Sequence, residues 1–271
     1  MLPKLISIGS FFIPTYGTLV AIGFLAAMWI ITRLAKRASL PSELITNLAI
    51  YCALAGLAGA KLFMILFDLP TYWNDPRSLF SLSTLQAAGV YQGGFLVAFV
   101  TAVLYMRRQH LPILATCDIF APGIAIGQAI GRIGCFSAGC CWGIPTHLPW
   151  AVTFRNPQAA ELTGVPLGTP LHPTQLYECF ADALIFGFLY FRIGKAHTPG
   201  TILGWYLALY SAARFIIEFF RFHEQGLHLG LSYTQWISLA TLAAGVALLV
   251  LRRNPFMHPR ESVSVATSPR T

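Results

Sequence analysis

Two short series of polar residues interrupt otherwise apolar stretches of this chain. Tyr210, Arg214, Glu218 and Arg221 follow one another at intervals of four, four and three, a spacing that stacks them on one face of a helix. Gln128, Arg132 and Cys135 share a face in an earlier stretch by the same rule. An ionisable group at membrane depth costs about 2.5–3.5 kcal/mol on insertion scales and usually faces a partner or a wet cavity. One reading is that Arg214 and Glu218 neutralise each other while Arg221 snorkels to an interface. The other is that Arg132 and Arg214, near the ends of two helices, converge on an anionic headgroup through forked, charge-assisted hydrogen bonds. Phosphate is the natural candidate.

Further polar residues belong to the same side. Gln92 precedes the pair Gly93–Gly94, which could let backbone approach a ligand closely. His172, Gln175, Tyr177 and Glu178 open another apolar run. His172-Pro173-Thr174-Gln175 also resembles an ordinary helix entrance with Thr174 as cap, so structural and catalytic roles both stand for His172. Gly123, Gly127 and Gly131, spaced by four, read as a packing stripe.

Six cysteines add a competing chemistry, because Cys135, Cys140 and Cys141 fall within seven residues while Cys52, Cys117 and Cys179 are scattered. The cluster could exchange thiols and disulfides, form a structural disulfide, or bind metal with His147 or His172. Its spacing matches no standard zinc signature, and buried cysteine also serves as a small apolar residue.

The elements that position these groups follow from composition. Hydrophobic residues make up 56% of the chain and charged ones 10%, with a mean hydropathy of +0.64; eighteen basic and ten acidic side chains could not keep such a surface dispersed in water. Apolar runs near 15–32, 43–66, 90–106, 113–134, 175–191, 200–219 and 233–251 predict an all-α polytopic membrane protein of about seven transmembrane helices. Gln92, Asp118, Gln128 and Arg132 leave open that the third or fourth run is re-entrant. Eleven basic residues (Arg33, Lys36, Arg37, Arg107, Arg108, Arg192, Lys195, Arg252, Arg253, Arg260 and Arg270) lie in alternate connections, against Lys4, Arg77, Arg155 and Arg221 in the others. That asymmetry predicts an outer N-terminus and a cytoplasmic C-terminus. The charge of +8 is thus a topology signal that needs no nucleic acid. Residues 1–253 read as one transmembrane domain whose first run is a retained anchor. A long outer connection at about 135–174 carries a strand-like piece at Trp150–Phe154 and suggests an extracytoplasmic site. Residues 254–271, rich in Ser, Thr, Pro and Arg, read as a disordered cytoplasmic tail. Internal symmetry of the kind that builds transporters is not evident.

Several segments resemble the bacterial prolipoprotein diacylglyceryl transferases: Gly131-Arg132-Ile133-Gly134-Cys135-Phe136 through Gly143, His172-Pro173-Thr174-Gln175-Leu176-Tyr177-Glu178, and Tyr210 through Arg221. Tyr16-Gly17, Gly59-Ala60-Lys61 and Gln92-Gly93-Gly94 are weaker echoes in the same order. The resemblance implies a seven-helix inner-membrane enzyme, expected to be monomeric, that opens to the extracytoplasmic side. It would move diacylglyceryl from phosphatidylglycerol to the lipobox cysteine thiol of lipoprotein precursors, release glycerol 1-phosphate, and need no metal or organic cofactor. Arg132 and Arg214 match the family's principal arginines, with His172 as a candidate base. Tyr16, Gln92, Gly93, Gly94, Gln128, Cys135, Gln175, Tyr177, Glu178, Tyr210, Glu218 and Arg221 would line the substrate site. The chain departs from the family where Ala98 replaces a histidine, Cys135 and Ala138 replace asparagines, Cys140 replaces an acidic residue and Lys61 an arginine. A relative that serves another acceptor, or a membrane thiol-redox protein using Cys135, Cys140 and Cys141, are the competing readings.

Overall fold

The computed structural model describes residues 4–8, 11–81, 84, 89–222 and 227–253; the tail at 254–271, with Arg260 and Arg270, lies outside them. A hairpin of β1 (Lys4–Ile8) and β2 (Phe11–Pro14), which the sequence did not announce, leads into α1 (Thr15–Arg37). Then come α2 (Ser42–Phe67), the short α3 (Leu69–Asn74), a 3-10 turn at Pro76–Phe80, α4 (Tyr91–Arg108) and α5 (Ile113–Ala138). The long connection holds β3 (Val152–Thr153), α6 (Pro157–Thr163) and β4 (Pro170–Leu171), and α7 (Thr174–Ile193), α8 (Thr201–Glu218) and α9 (Tyr233–Arg253) complete the order.

Proline punctuates these helices. Pro14, Pro41, Pro112 and Pro173 stand immediately before α1, α2, α5 and α7, with φ between −64° and −78°. Proline has no N–H to leave unsatisfied at a helix start, and its ring fixes that φ. Basic residues close several helices at the other end: Lys36 and Arg37 on α1, Arg107 and Arg108 on α4, Arg192 on α7. There they complement the helix dipole, and Arg37 Nη1 donates to the Tyr190 hydroxyl at 3.3 Å, so the ends of α1 and α7 meet.

Among the described residues four helices, Thr15–Arg37, Ser42–Phe67, Ile113–Ala138 and Tyr233–Arg252, are long and apolar enough to cross a membrane. Large apolar side chains face outward around the bundle, among them Trp29, Leu57, Phe67, Phe95, Phe191 and Ile237, each at least 60% exposed. A surface of this kind finds its solvent in lipid, and the chain is a multi-pass membrane protein.

Helix α5 is central, packing against α1, α7 and α8, while α9 packs on α8 and α4 on α2. It runs unbroken for 26 residues through Pro122, which removes the re-entrant alternative for the fourth run. Asp118, one reason for that alternative, is a cap for a neighbour: its carboxylate accepts from the backbone N–H of Gly200 and of Leu203, both at 2.7 Å. Those donors open α8 and have no partner within it. The apolar core has one cluster around Ile30, Ile31, Leu34, Ile45 and Ile119, and a second formed by Ala121, Ala125, Ile185, Leu189, Ile202 and Tyr206. A third, under the long connection, consists of Phe154, Ala159, Val165 and Leu171.

Candidate functional site

Glu178 is the hub of the polar cluster. It lies in the second turn of α7 with its side chain 5% exposed, and three arginines from two other segments reach it. Arg132 of α5 pairs through Nη2 with Oε2, while Arg221, three residues past the end of α8, donates from Nη1 to Oε1 at 3.1 Å. Arg214 Nη1 lies 3.7 Å from Oε1 and 2.7 Å from Glu218 Oε2, four residues along its own helix. Glu218 is held in turn by the Ser232 hydroxyl, which donates to Oε1 at 3.0 Å. The simple neutralising pair does form, yet it is one edge of a five-residue network, and Arg221 points inward instead of snorkelling. Arg132 and Arg221 remain about one-fifth exposed. Each guanidinium has five donors, more than these ion pairs occupy.

Around it, the Tyr206 hydroxyl donates to Gln128 Oε1 at 2.8 Å and stacks on Tyr210 with centroids 5.7 Å apart. Tyr16, at the start of α1, packs against Gly134. One turn along α7 from Glu178 sits Asp182, 3% exposed, with Oδ2 lacking a hydrogen-bond partner. Sequence reasoning did not single out Asp182, although its spacing of four from Glu178 was the available signal.

A three-segment platform ties the entrance of α7 to the exit of α8. Gly143 N–H donates to His172 O at 3.0 Å and His172 N–H to Ile144 O at 3.1 Å; on the other side Ile144 N–H donates to Phe220 O at 2.9 Å and Phe222 N–H to Trp142 O at 3.2 Å. Only glycine fits at 143, because a Cβ there would lie 2.5 Å from both His172 Cβ and Phe220 O. His172 is 7% exposed; its Nδ1 lies 3.1 Å from the Tyr177 hydroxyl, and its ring packs on Phe220. Trp150 Nε1–H donates to the same hydroxyl at 2.8 Å. His172 thus adjoins the cluster through Tyr177 and Phe220, and among the described residues no ion pair or hydrogen bond joins it to an arginine.

Thr174 does not cap α7: Pro173 holds the cap position, and the Thr174 hydroxyl donates to Cys141 O at 2.7 Å. Gln175 Nε2–H donates to Cys140 O, also at 2.7 Å. These bonds fix the turn that follows α5. The helix ends on Gly139 in the left-handed region (φ 80°), whose N–H returns to Cys135 O at 3.0 Å. Cys141 is left-handed as well (φ 62°). The turn folds Cys140 and Cys141 back over Cys135, so that the three sulfurs lie within 4.8 Å of one another. All six cysteines are free thiols. Hydrogen bonds from Cys135 and Cys140, with Arg221 and Arg132 nearby, pull the Cys141 thiol below the ordinary range.

Gly93 and Gly94 are buried against α2: a Cβ on Gly93 would strike Phe63, and one on Gly94 would lie 2.8 Å from Gly56 O. They permit close packing of two helices. Ala98 faces the same seam, with its Cβ 3.7 Å from where a Cβ on Gly56 would stand. Gln92 is exposed, and among the described residues no hydrogen bond or ion pair links it to the arginines. Lys61 Nζ donates to Thr84 O at 2.6 Å. Beside the arginines and thiols, an open cavity of about 780 Å³ is lined by Cys141, Gly143, Arg221 and Phe222.

A family model described as prolipoprotein diacylglyceryl transferase matches residues 3–251. A phosphatidylglycerol–prolipoprotein diacylglyceryl transferase of Clostridium tetani is 33% identical over 253 residues, covering 93% of this chain and 98% of its own. Relatives with the same name from Nitrosomonas europaea and Finegoldia magna are 33% and 31% identical, covering 91% and 87% of this chain and 88% and 89% of their own.

Proposed function

The chain belongs to the prolipoprotein diacylglyceryl transferase family and is a phosphatidylglycerol–prolipoprotein diacylglyceryl transferase, and from that premise we propose that the arginines gathered on Glu178 are its phosphate-binding machinery. The observation that carries this is the convergence of Arg132, Arg214 and Arg221 on one buried carboxylate. Within the ion pairs among the described residues, three cations against Glu178 and Glu218 leave one positive charge in excess, with donors to spare. The phosphodiester of phosphatidylglycerol fits that excess. As the acceptor's sulfur attacks the glyceryl carbon, the C–O bond to phosphate breaks and negative charge grows on the leaving glycerol phosphate. Donors already in place then bind more strongly in the transition state than before it.

Glu178 and Glu218 hold the guanidiniums in register, while Gln128, Tyr210 and Tyr16 form the apolar-to-polar wall beside them. The acceptor is a lipoprotein precursor presenting its lipobox cysteine through the cavity bounded by Cys141 and Arg221. Its thiol must lose a proton, since the thiolate is the nucleophile. Ala98 cannot accept one; His172, which adjoins the cluster through Tyr177 and Phe220, is the candidate acceptor, with Nε2 as the receiving atom because Nδ1 faces Tyr177.

The topology follows the same reading: seven crossings by α1, α2, α4, α5, α7, α8 and α9, each of 18 to 26 residues. At 1.5 Å per residue even the shortest spans about 27 Å. The basic ends of α1, α4 and α7 face the cytoplasm, and the arginine cluster faces the extracytoplasmic side of the inner membrane. The test is direct. Purified, monodisperse protein is incubated with phosphatidylglycerol vesicles and a lipobox peptide; thioether-linked peptide and glycerol phosphate should accumulate in equal amounts. Peptide modified without glycerol phosphate release, or no modification of a cysteine peptide at all, would refute the assignment.

A further inference from the structure

The three thiols at the end of α5 take no part in the arginine network, and their arrangement suits a metal better than a disulfide. Cys140 and Cys141 are sequence neighbours, with Cα atoms about 3.8 Å apart, short of the 4.4–6.8 Å that an ordinary disulfide spans. Bridging either to Cys135 would strand the third. Three thiolates on a tetrahedral zinc, each about 2.3 Å from the ion, stand about 3.8 Å from one another. The sulfurs of Cys135, Cys140 and Cys141 are already within 4.8 Å, so the widest edge closes by about 1 Å or less. The backbone around them is fixed at Gly139 and by the bonds from Thr174 and Gln175 to the Cys141 and Cys140 carbonyls.

Among the described residues no histidine, aspartate or glutamate joins the three thiols as a fourth ligand. A zinc held by three protein ligands keeps an open position for water or substrate. Cys141 also lines the 780 Å³ cavity with Arg221, so a molecule in that cavity can reach the open position. We propose that Cys135, Cys140 and Cys141 bind a zinc ion whose open fourth position takes the acceptor's cysteine as a thiolate.

This rests on the transferase reading and deepens it, because it gives a chain with Ala98 a way to activate the nucleophile and makes the metal, in place of His172, the first acceptor of the thiol's proton. A zinc-bound hydroxide takes the proton of the incoming thiol and leaves as water, and the sulfur binds in its place; metal coordination holds it deprotonated. The sulfur's electron pair then forms the S–C bond while the C–O bond of the lipid breaks, and that electron pair departs on glycerol phosphate. The neutral thioether leaves the zinc, and water returns.

The experiment uses the full chain in detergent, reduced, stripped with a chelator and loaded with Co²⁺ as a spectroscopic probe. One cobalt per chain is expected, with thiolate-to-cobalt charge-transfer bands that shift when a lipobox peptide is added and do not shift with its Cys→Ser counterpart. Cys140→Ser and Cys141→Ser should lose the bands with their melting transitions retained, whereas Cys52→Ser keeps them. Uptake absent from the wild type, bands that persist in the Cys135→Ser/Cys140→Ser/Cys141→Ser variant, or no response to the peptide would each overturn the proposal. Removing zinc should cost about 10²-fold in thioether formation, the low end of what a proton-removing group contributes, and zinc should restore it. Full transfer by metal-free protein would sink the zinc site and leave the transferase reading intact. A peptide-responsive metal site in a chain that never transfers lipid would support the site and sink the transferase reading.

Discussion

Arg132→Lys separates the work of a guanidinium from that of a positive charge. Arg132 reaches Glu178 from α5, and its side chain is 21% exposed, so part of its fork faces away from the carboxylate. A lysine can keep a charge near Glu178 but cannot present two parallel N–H groups to a phosphate. Folding should tolerate the change, because Glu178 retains Arg221 at 3.1 Å and Arg214 at 3.7 Å; the expected stability loss is about 1 kcal/mol or less, that of one hydrogen bond exchanged for a similar one. Activity should suffer more. A hydrogen bond to a charged group is worth about 1.5–3 kcal/mol, which at about 1.4 kcal/mol per factor of ten is a loss of roughly 10- to 150-fold. The assay is thioether formation over a range of phosphatidylglycerol concentrations, with thermal unfolding followed on the same preparation. The loss should fall in kcat, since the donors act on charge that grows during the reaction. A variant within about threefold of wild type would refute the reasoning. So would a loss confined to KM, which would make Arg132 a ground-state clamp, or a loss that merely tracks the unfolded fraction.

Glu178→Gln leaves three guanidiniums facing one another without their shared counter-charge; breaking a buried pair costs about 3–5 kcal/mol, so thermal unfolding should show a large drop that Glu218→Gln, removing one arm, does not match. Gly143→Ala should destabilise by about 1–3 kcal/mol, because the new Cβ would stand 2.5 Å from His172 Cβ and Phe220 O; transfer should fall with it as the platform opens, and an unchanged melting transition would count against the platform's role. Asp118→Ala should cost up to about 2 kcal/mol as the first turn of α8 loses its side-chain partner, yet transfer per folded molecule should be unaltered. Ala98→His should not raise the rate, because position 98 faces the seam with α2 at Gly56; a gain of tenfold or more would show that an imidazole there reaches the acceptor thiol.

The long helices were legible because proline and charge mark their ends locally. Starts expected at 15, 43, 90, 113, 175, 200 and 233 lie within one residue of those observed. The ends ran short where amphipathic residues prolong a helix beyond its apolar run, as Lys36 and Arg37 do on α1 and Cys135 through Ala138 on α5. The arginines were found through their spacing. Their common partner was not: Glu178 sits 46 residues from Arg132 and 36 from Arg214, and no local pattern says that three segments will share it. Asp118 misled for the same reason, since the N–H groups that justify its burial belong to α8, and the packing of the paired glycines was not legible because the surface against them belongs to α2. The thiol cluster was visible as a spacing, but its convergence depends on left-handed backbone at Gly139 and Cys141, the latter a conformation that a non-glycine residue seldom adopts.

Charge bookkeeping supports the phosphate-binding role proposed for the cluster. A purely structural network at this depth would balance its cations, because an unpaired charge away from water is expensive. Among the described residues, Arg132, Arg214 and Arg221 form ion pairs with Glu178 and Glu218 alone, and Asp182, one turn from Glu178, forms none with them. Partial exposure lets water cover the excess while the site is empty, and a phosphodiester that displaces this water completes the balance. On the proposed reading, the surplus of guanidiniums over carboxylates within these ion pairs suits the network to an anion that arrives, gains charge during the reaction and leaves.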